Sequence, residues 1–261
     1  MMANEALVTH TYRSGTAGTL VLLHGFPVDS RMWDAVVPHL PQQWGVMAVD
    51  LPGLGHSRGV LPQPPSLASS AQLIVPLIDA LPGRVVVAGL SMGGYVTMEL
   101  LRRAGDRLAG VVFLDTKAEA DTPAAAAKRL EVADQVEREA SVSAVLGMAA
   151  ATVAQPLRAD RDREVALLAQ WISEQDPAGV AWSQRAMASR DDSFDVVRGW
   201  DRPALVLRGE HDAQSDDQVM RALAQALPNA RFVEIPAAGH MTAVEQPGAV
   251  AREVTRFLVG L

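Results

Sequence analysis

Gly89-Leu90-Ser91-Met92-Gly93-Gly94 is the stretch of the sequence that decides the fold. It follows an apolar, strand-like run at residues 84–88 and opens a helix-like run at residues 91–103. A serine between small residues at a strand-to-helix turn is typical of a nucleophile elbow, in which a strained backbone holds the hydroxyl above the sheet edge. The pattern predicts that Ser91 is a nucleophile, and that the N-terminus of the following helix stabilises negative charge developing beside it.

A base must accompany this serine, because a serine hydroxyl is a weak nucleophile until its proton is removed. His240 lies in a small, glycine-containing loop just after a strand-like run at residues 231–235. Such a loop can bring an imidazole to the carboxyl edge of the sheet, so His240 is the predicted base. His211 precedes an acidic residue in another loop and is interpreted as a loop residue.

The acid that orients the base is predicted to be Asp212. This residue lies past the polar turn that ends an apolar run at residues 204–208. Glu210 and Asp115 are the alternatives, the latter at the end of the run 110–114. The favoured set, in the chain order nucleophile, acid and base, is Ser91, Asp212 and His240.

Strand-like and helix-like runs alternate along most of the chain. The strand-like runs are residues 6–12, 19–23, 46–49, 84–88, 110–114, 204–208 and 231–235. The helix-like runs are residues 66–80, 91–103, 216–226 and 247–258. This alternation predicts an α/β fold with a doubly wound, mostly parallel sheet, whose ligands bind beyond the carboxyl ends of the strands.

Two further segments complete a family resemblance. They are Leu20-Val21-Leu22-Leu23-His24-Gly25-Phe26-Pro27 and Asp50-Leu51-Pro52-Gly53-Leu54-Gly55-His56-Ser57. With these segments, the elbow and the order of the three residues, the chain resembles the α/β-hydrolase superfamily over essentially its whole length. The resemblance is to serine hydrolases of the esterase and enol-lactonase branch that carry a helical cap. His24 and His56 are interpreted as structural residues that brace their loops.

The resemblance implies two parts of the molecule. Residues 1–115 and 196–261 would form the hydrolase core, and residues 116–195 a helical cap inserted after the sixth strand. In this interval the alternation stops, and Thr122-Pro123 is typical of a helix start. The helices predicted after it lie at residues 142–153, 161–173 and 179–189. The alternative is a helical layer that only stabilises the core.

The resemblance also implies a mechanism. Ser91 would attack an acyl carbonyl after His240 takes its proton, while Asp212 holds the imidazole in the required tautomer. The backbone N–H groups of Phe26 and Met92 would bind the oxyanion. An acyl-enzyme would form and be hydrolysed by water, so we expect no metal and no organic cofactor.

Side chains of the cap are expected to roof the substrate pocket. The candidate pocket residues are Met148, Trp171, Trp182 and, from the loop of the base, Met241. Their apolar character favours a small, largely apolar ester or lactone as substrate. An arginine of the cap, Arg185 or Arg190, that engages a substrate carboxylate is the alternative, as an enol-lactone would require.

The nucleophile narrows the reaction class. In the family, haloalkane dehalogenases and epoxide hydrolases carry aspartate at the elbow and dienelactone hydrolases carry cysteine, so Ser91 argues against these activities. Carboxylesterases and lactonases are favoured, and thioesterases, amidases and perhydrolases remain open. The main alternatives are a carbon–carbon bond hydrolase of a vinylogous diketone and a ligand receptor on a hydrolase fold with vestigial turnover.

Composition sets the remaining expectations. The chain has 261 residues, 49% of them hydrophobic, with a formal net charge of −7 and no cysteine. It therefore has no disulfide framework, and it shows no basic stripe of the kind that binds nucleic acid. Residues 1–6 lack the features of a signal peptide, and the apolar runs are shorter than a membrane span. We expect a cytoplasmic protein that acts on a small molecule.

Overall fold

The computed structural model describes residues 6–261 and contains one seven-stranded sheet. Residues 1–5, on which most of the signal-peptide prediction depends, lie outside the described residues. The strands are β1 (Thr9–Arg13), β2 (Gly18–Leu23), β3 (Trp44–Val49), β4 (Val85–Leu90), β5 (Leu108–Leu114), β6 (Ala204–Gly209) and β7 (Ala230–Ile235).

The strand order is β1-β3-β2-β4-β5-β6-β7. Only β1 runs antiparallel to its neighbour, β3, and all other neighbours are parallel. The predicted α/β class with a mostly parallel sheet is thereby confirmed. Every residue of β3, β4 and β6 is buried, which explains their continuously apolar sequences, because helices cover both faces of such strands.

Eleven α-helices connect or cover these strands in the described part of the chain. They are α1 (Leu67–Ala80), α2 (Met92–Ala104), α3 (Pro123–Glu139), α4 (Ser143–Leu146), α5 (Met148–Ala151), α6 (Asp162–Ser173), α7 (Pro177–Ala188), α8 (Phe194–Arg198), α9 (Asp217–Ala226), α10 (Thr242–Glu245) and α11 (Pro247–Val259). Helix α3 begins as predicted, since the Thr122 hydroxyl accepts the Ala125 N–H and Pro123 follows at the first helical position.

Glycines at the elbow allow β4, α2 and β2 to approach closely. A Cβ on Gly93 would lie 2.3 Å from the carbonyl oxygen of Leu23, and one on Gly89 would lie 2.2 Å from that of Gly93. Both distances are far below van der Waals contact with rigid backbone. Helix α2 can therefore start directly above β2 and β4 only if these two positions lack side chains.

The interval between β5 and β6 is helical, as predicted, but three details differ. The helices follow the fifth strand of this sheet rather than a sixth. The single helix predicted at 142–153 is two short helices that meet at Gly147. Helix α8 crosses the predicted boundary at residue 195 and packs on α2 and α9 of the core. The cap boundaries themselves stay a prediction.

The helical interval is seated on the core by a second close approach of glycines. A Cβ on Gly179 of α7 would lie 1.7 Å from the carbonyl oxygen of Gly53, whose φ is +80°. Helix α7 also packs along α3. Among residues 6–261, no helix combines the length and apolar character needed to cross a bilayer.

Candidate active site

Ser91 occupies the turn between β4 and α2 in a strained conformation, with φ 53° and ψ −112°. Such a conformation costs about 1–3 kcal/mol in a non-glycine residue and must be held by its surroundings. The Ser91 N–H donates to the Leu114 carbonyl at 2.9 Å, and the Thr116 hydroxyl donates to the Ser91 carbonyl at 2.9 Å. These bonds tie the turn to the end of β5.

His240 faces the serine from the loop after β7. Its Nε2 lies 2.9 Å from Ser91 Oγ, and its Nδ1 lies 3.0 and 3.1 Å from the two carboxylate oxygens of Asp212. With the proton on Nδ1, the ring donates to the carboxylate and Nε2 can accept the serine proton. Sequence spacing alone placed these three residues at one sheet edge, and the structure brings them within hydrogen-bond distance.

Asp212 is buried and held by the turn that follows it. One of its oxygens accepts the backbone N–H groups of Gln214 at 2.8 Å and Ser215 at 3.2 Å. These bonds stabilise a carboxylate that water barely reaches, since the residue is 2% exposed. The arrangement can carry a proton between a serine hydroxyl and an imidazole, with a fixed negative charge behind the ring.

The two alternative acids lie elsewhere. Asp115 accepts the Gly209 N–H at 2.8 Å and the hydroxyl of Thr242, and Glu210 accepts the Ala237 N–H near the surface. Within the described residues neither carboxyl group hydrogen-bonds to His240. Burial, followed by the negative charge of Asp212, raises the pKa of Asp115 well above its ordinary value.

The remaining histidines have structural contacts. His24 is fully buried, accepts the Leu51 N–H at Nε2 and lies 2.9 Å from the Gly25 carbonyl at Nδ1. Burial lowers the pKa of His24, which suits a neutral ring that both donates and accepts. His211 lies 3.7 Å from Glu210 in its loop. These contacts agree with the interpretation of His24 as a brace between loops.

One cluster has donor atoms suited to a metal ion. His10, Asp50 and His56 have ligand atoms within 4.8 Å of one another. Hydrogen bonds account for this arrangement, because Asp50 Oδ2 accepts the His56 N–H at 2.9 Å and lies 3.0 Å from His10 Nε2. None of the three lines the cavity at Ser91.

The predicted oxyanion donors, Phe26 and Met92, flank the serine. Phe26 lines the same cavity as Ser91, and Met92 is the first residue of α2. In the part of the chain that the structure describes, neither backbone N–H has a hydrogen-bond acceptor. Both N–H groups are available to an oxygen bound beside Ser91, a role that stays a prediction.

A cavity of about 80 Å³ contains Ser91 and His240. Its other lining residues are Phe26, Tyr95, Lys117, Arg129, Met148, Met187, Gln214 and Ser215. Of the four predicted pocket residues, only Met148 is among them. A volume of this size accommodates a group of a few non-hydrogen atoms.

The other three predicted pocket residues lie outside this cavity, which corrects the prediction. Trp171 lines a separate groove with Arg31 and Leu167. Trp182 lines another groove with Leu61 and donates its indole N–H to the Pro62 carbonyl at 2.7 Å. Met241 is buried at the start of α10. None of these three side chains lines the cavity that contains Ser91.

Tyr95, Lys117, Arg129, Gln214 and Ser215 also line the cavity, and none of these five residues was predicted from the sequence to do so. Tyr95 follows Ser91 by four positions and so lies on the same helix face, and Gln214 and Ser215 follow Asp212 in its turn. The spacing of these three residues from Ser91 and Asp212 was sufficient to predict that they lie at the cavity. Lys117 and Arg129 had none, because tertiary packing alone brings them to the cavity.

A buried carboxylate joins the helical interval to the loop of His240. Glu245 accepts the Ala154 N–H at 2.8 Å with one oxygen and the Gly239 N–H at 2.9 Å with the other. The backbone N–H of His240 itself donates to the Thr152 carbonyl at 2.8 Å. The position of the imidazole thus depends on residues 152–154, which follow α5.

Comparison with known proteins agrees with this architecture. The sequence profile of the alpha/beta hydrolase fold family matches residues 18–247. A thermophilic esterase from Thermogutta terrifontis, solved with malate bound, is 34% identical with a TM-score of 0.91, over 97% of this chain and 93% of that chain. The enol-lactonase from Burkholderia xenovorans LB400 is 28% identical with a TM-score of 0.83, over 97% of both chains.

A sequence relative has a named substrate. The pimeloyl-[acyl-carrier protein] methyl ester esterase of Nitrosomonas europaea is 29% identical over 243 residues, which cover 88% of this chain and 92% of that protein. The relatives named here include two esterases and a lactonase.

Proposed function

Because the chain belongs to the alpha/beta hydrolase family, we propose that it is a serine hydrolase that cleaves a carboxylic ester or lactone through an acyl-enzyme on Ser91. The observation that carries the proposal is the continuous set of hydrogen bonds from Ser91 Oγ through His240 to Asp212. Relatives named as esterases and an enol-lactonase support the bond type.

In the proposed first step, Ser91 Oγ bonds to the substrate carbonyl carbon as its proton passes to His240 Nε2. The carbonyl oxygen becomes an anion that accepts the N–H groups of Phe26 and Met92, and each such donor contributes about 3–4 kcal/mol to lowering the barrier. The imidazolium then protonates the leaving alkoxide as the bond between the carbonyl carbon and the alkoxide oxygen breaks.

In the second step, water replaces the alcohol. His240 takes one proton from the water, whose oxygen attacks the acyl carbon, and the proton is returned to Ser91 Oγ as the carboxylic acid leaves. Asp212 stays ionised throughout and stabilises the charged imidazolium. For a lactone the same steps open the ring, and the alcohol remains attached to the acid.

The experiment is hydrolysis of a chain-length series of p-nitrophenyl esters and simple lactones by the wild-type protein and by Ser91→Ala. We expect turnover that falls by about 10⁵-fold or more in the variant, as for removal of other serine nucleophiles. Labelling of Ser91 by a fluorophosphonate gives a second readout that needs no particular substrate.

Three outcomes would overturn the proposal. Turnover retained in a folded Ser91→Ala variant would exclude the acyl-enzyme. Labelling without hydrolysis of any ester or lactone, but with cleavage of a vinylogous diketone, would identify a carbon–carbon bond hydrolase. Tight ligand binding with negligible turnover of either class would identify a receptor.

A further inference from the structure

Three cationic side chains surround one carboxylate beside the serine. Lys117 Nζ lies 3.2 Å from Asp121 Oδ1, Arg129 Nε lies 2.5 Å from Asp121 Oδ2, and Arg190 Nη2 lies 2.8 Å from Asp121 Oδ1. We call these four residues the basic cluster. Lys117 and Arg129 also line the cavity that contains Ser91 and His240.

The basic cluster has an excess of positive charge. Burial alone would raise the pKa of Asp121, but its hydrogen bond to Arg129 and the three nearby cations lower that pKa to about 2. Asp121 is therefore ionised and neutralises one of three cations, which leaves two. The nearby Glu119 contributes its backbone carbonyl to Arg190 and, within residues 6–261, its carboxylate forms no ion pair with the cluster.

Some donors of the basic cluster have no acceptor among the described residues. The Arg190 side chain is buried, and its guanidinium carbon lies 4.1 Å from the centre of the Tyr95 ring. Arg129 also donates Nη1 to the side chain of Gln184 at 3.2 Å. Its Nη2 has no acceptor among the described residues, and Lys117 has the ion pair with Asp121 as its recorded polar contact there.

Excess charge at this place is unfavourable for an apolar substrate. The whole chain carries a formal charge of −7, whereas the basic cluster carries two more positive than negative charges. An apolar group that displaced water from Lys117 and Arg129 would desolvate the N–H groups that do not face Asp121 or Gln184 and would give them no acceptor. A carboxylate would instead accept charge-assisted hydrogen bonds from both.

We propose that Lys117 and Arg129 form a carboxylate-binding subsite, and that the substrate is an ester or lactone that bears a free carboxylate. This inference rests on the proposed function of Ser91. Because Lys117, Arg129 and Ser91 line one small cavity, a single small substrate can contact all three residues. The cap arginines considered from the sequence do not line the cavity: Arg185 pairs with Asp134 and Glu137, and Arg190 stacks on Tyr95 and pairs with Asp121.

The test compares each member of a monomethyl dicarboxylate series, from malonate to adipate, with its neutral monoamide of the same length. Each ester is hydrolysed by the wild-type protein, Lys117→Met, Arg129→Lys and Lys117→Met/Arg129→Gln. Lys128→Met is the matched control, because Lys128 is exposed and pairs with Glu131, away from the cavity. Circular dichroism confirms that each variant is folded.

We expect the wild-type kcat/KM to favour the carboxylate ester over its amide by about 10- to 100-fold at one chain length, as charge-assisted hydrogen bonds predict. Lys117→Met should reduce that ratio by about tenfold, and the double variant should abolish it. Arg129→Lys keeps the charge and should retain part of the ratio, while Lys128→Met should leave it unchanged.

A ratio near one at every chain length, with Ser91-dependent hydrolysis of neutral esters intact, would overturn the subsite and leave the proposed function standing. Equal losses for ester and amide in Lys117→Met would show a structural role and also overturn it. Absence of all turnover would reject the proposed function instead. In that case carboxylate binding is measured by thermal unfolding: succinate or adipate should raise the Tm of the wild-type protein and not that of the double variant.

Discussion

The elbow and the helical interval between β5 and β6 position the candidate site in different ways. At the elbow, Ser91 is fixed by backbone bonds to the end of β5 and by glycines that admit no side chain. In the helical interval, Lys117 and Arg129 line the cavity, and both side chains are held by ion pairs to the shared carboxylate of Asp121. The elbow is thus defined by strand register, whereas the cavity wall is defined by side-chain packing across distant segments.

The largest expected effect is on kcat, and it tests which aspartate of the core orients His240. Asp212→Asn should lower kcat by about 10⁴-fold, because the amide favours the wrong imidazole tautomer. Asp115→Asn should lower kcat by less than about tenfold, since an amide can still bond to Gly209 and Thr242 without touching His240. Steady-state kinetics on one ester compares the two, and the reverse ranking would make Asp115 the acid.

The next effect tests the packing of the elbow. Gly93→Ala would place a Cβ 2.3 Å from the Leu23 carbonyl, which forces backbone to move and should lower the free energy of unfolding by about 2–4 kcal/mol. Gly147→Ala in the helical interval meets nothing within 4 Å and is the matched control. Chemical denaturation measures both, and equal stability would show that α2 tolerates displacement from β2.

A pH-dependent effect follows from the raised pKa of Asp115. Above the ordinary carboxyl pKa the unfolded chain releases this proton while the folded protein retains it, so the contribution of Asp115 to stability falls with rising pH, by at most about 1.4 kcal/mol per unit. The fall ends at the folded pKa. Asp115→Asn removes this loss, so the stability of the variant relative to wild type should increase from pH 4 upward. A constant difference would mean that Asp115 ionises normally in the fold.

The smallest effect concerns the junction of the two regions. Glu245→Gln replaces one carboxylate oxygen by an amide that cannot accept the N–H of Ala154 or Gly239, and should lower the free energy of unfolding by about 1–3 kcal/mol. Because the loop of His240 loosens, kcat should fall more than the affinity for substrate. Unchanged kcat in a destabilised variant would separate the junction from proton transfer.

Much of the core could be predicted because its signals are local. Continuous apolar runs indicate the buried strands. Residues that directly follow parallel strands meet at one edge of the sheet, so the sequence predicts that Ser91, Asp212 and His240 lie close together. Strand β1 was less well defined, beginning at Thr9 rather than residue 6, since the preceding backbone bonds to Ser57 and Asp50 instead of continuing the strand.

The wall of the cavity could not be predicted in the same way. Arg129 of α3 lines the cavity and bonds to Gln184 of α7, 55 residues further along the chain, a contact that exists only after α3 and α7 have packed. Trp171 and Trp182 have the large apolar side chains expected of a pocket roof, but Trp171 lines a separate groove and Trp182 bonds to the Pro62 carbonyl. Hydrophobic periodicity identifies the buried face of a helix without identifying which buried space that face adjoins.

The hydrogen bond from the His240 backbone N–H to the Thr152 carbonyl links the position of the base to residues 152–154. Residues 152–154 hold the base loop through Thr152 and through Glu245, so they cannot swing outward without withdrawing the imidazole from Ser91. A widely opened form of the molecule would therefore lack an activated nucleophile. If substrate entered by an outward movement of residues 152–154, the serine proton could not be removed until that segment had returned.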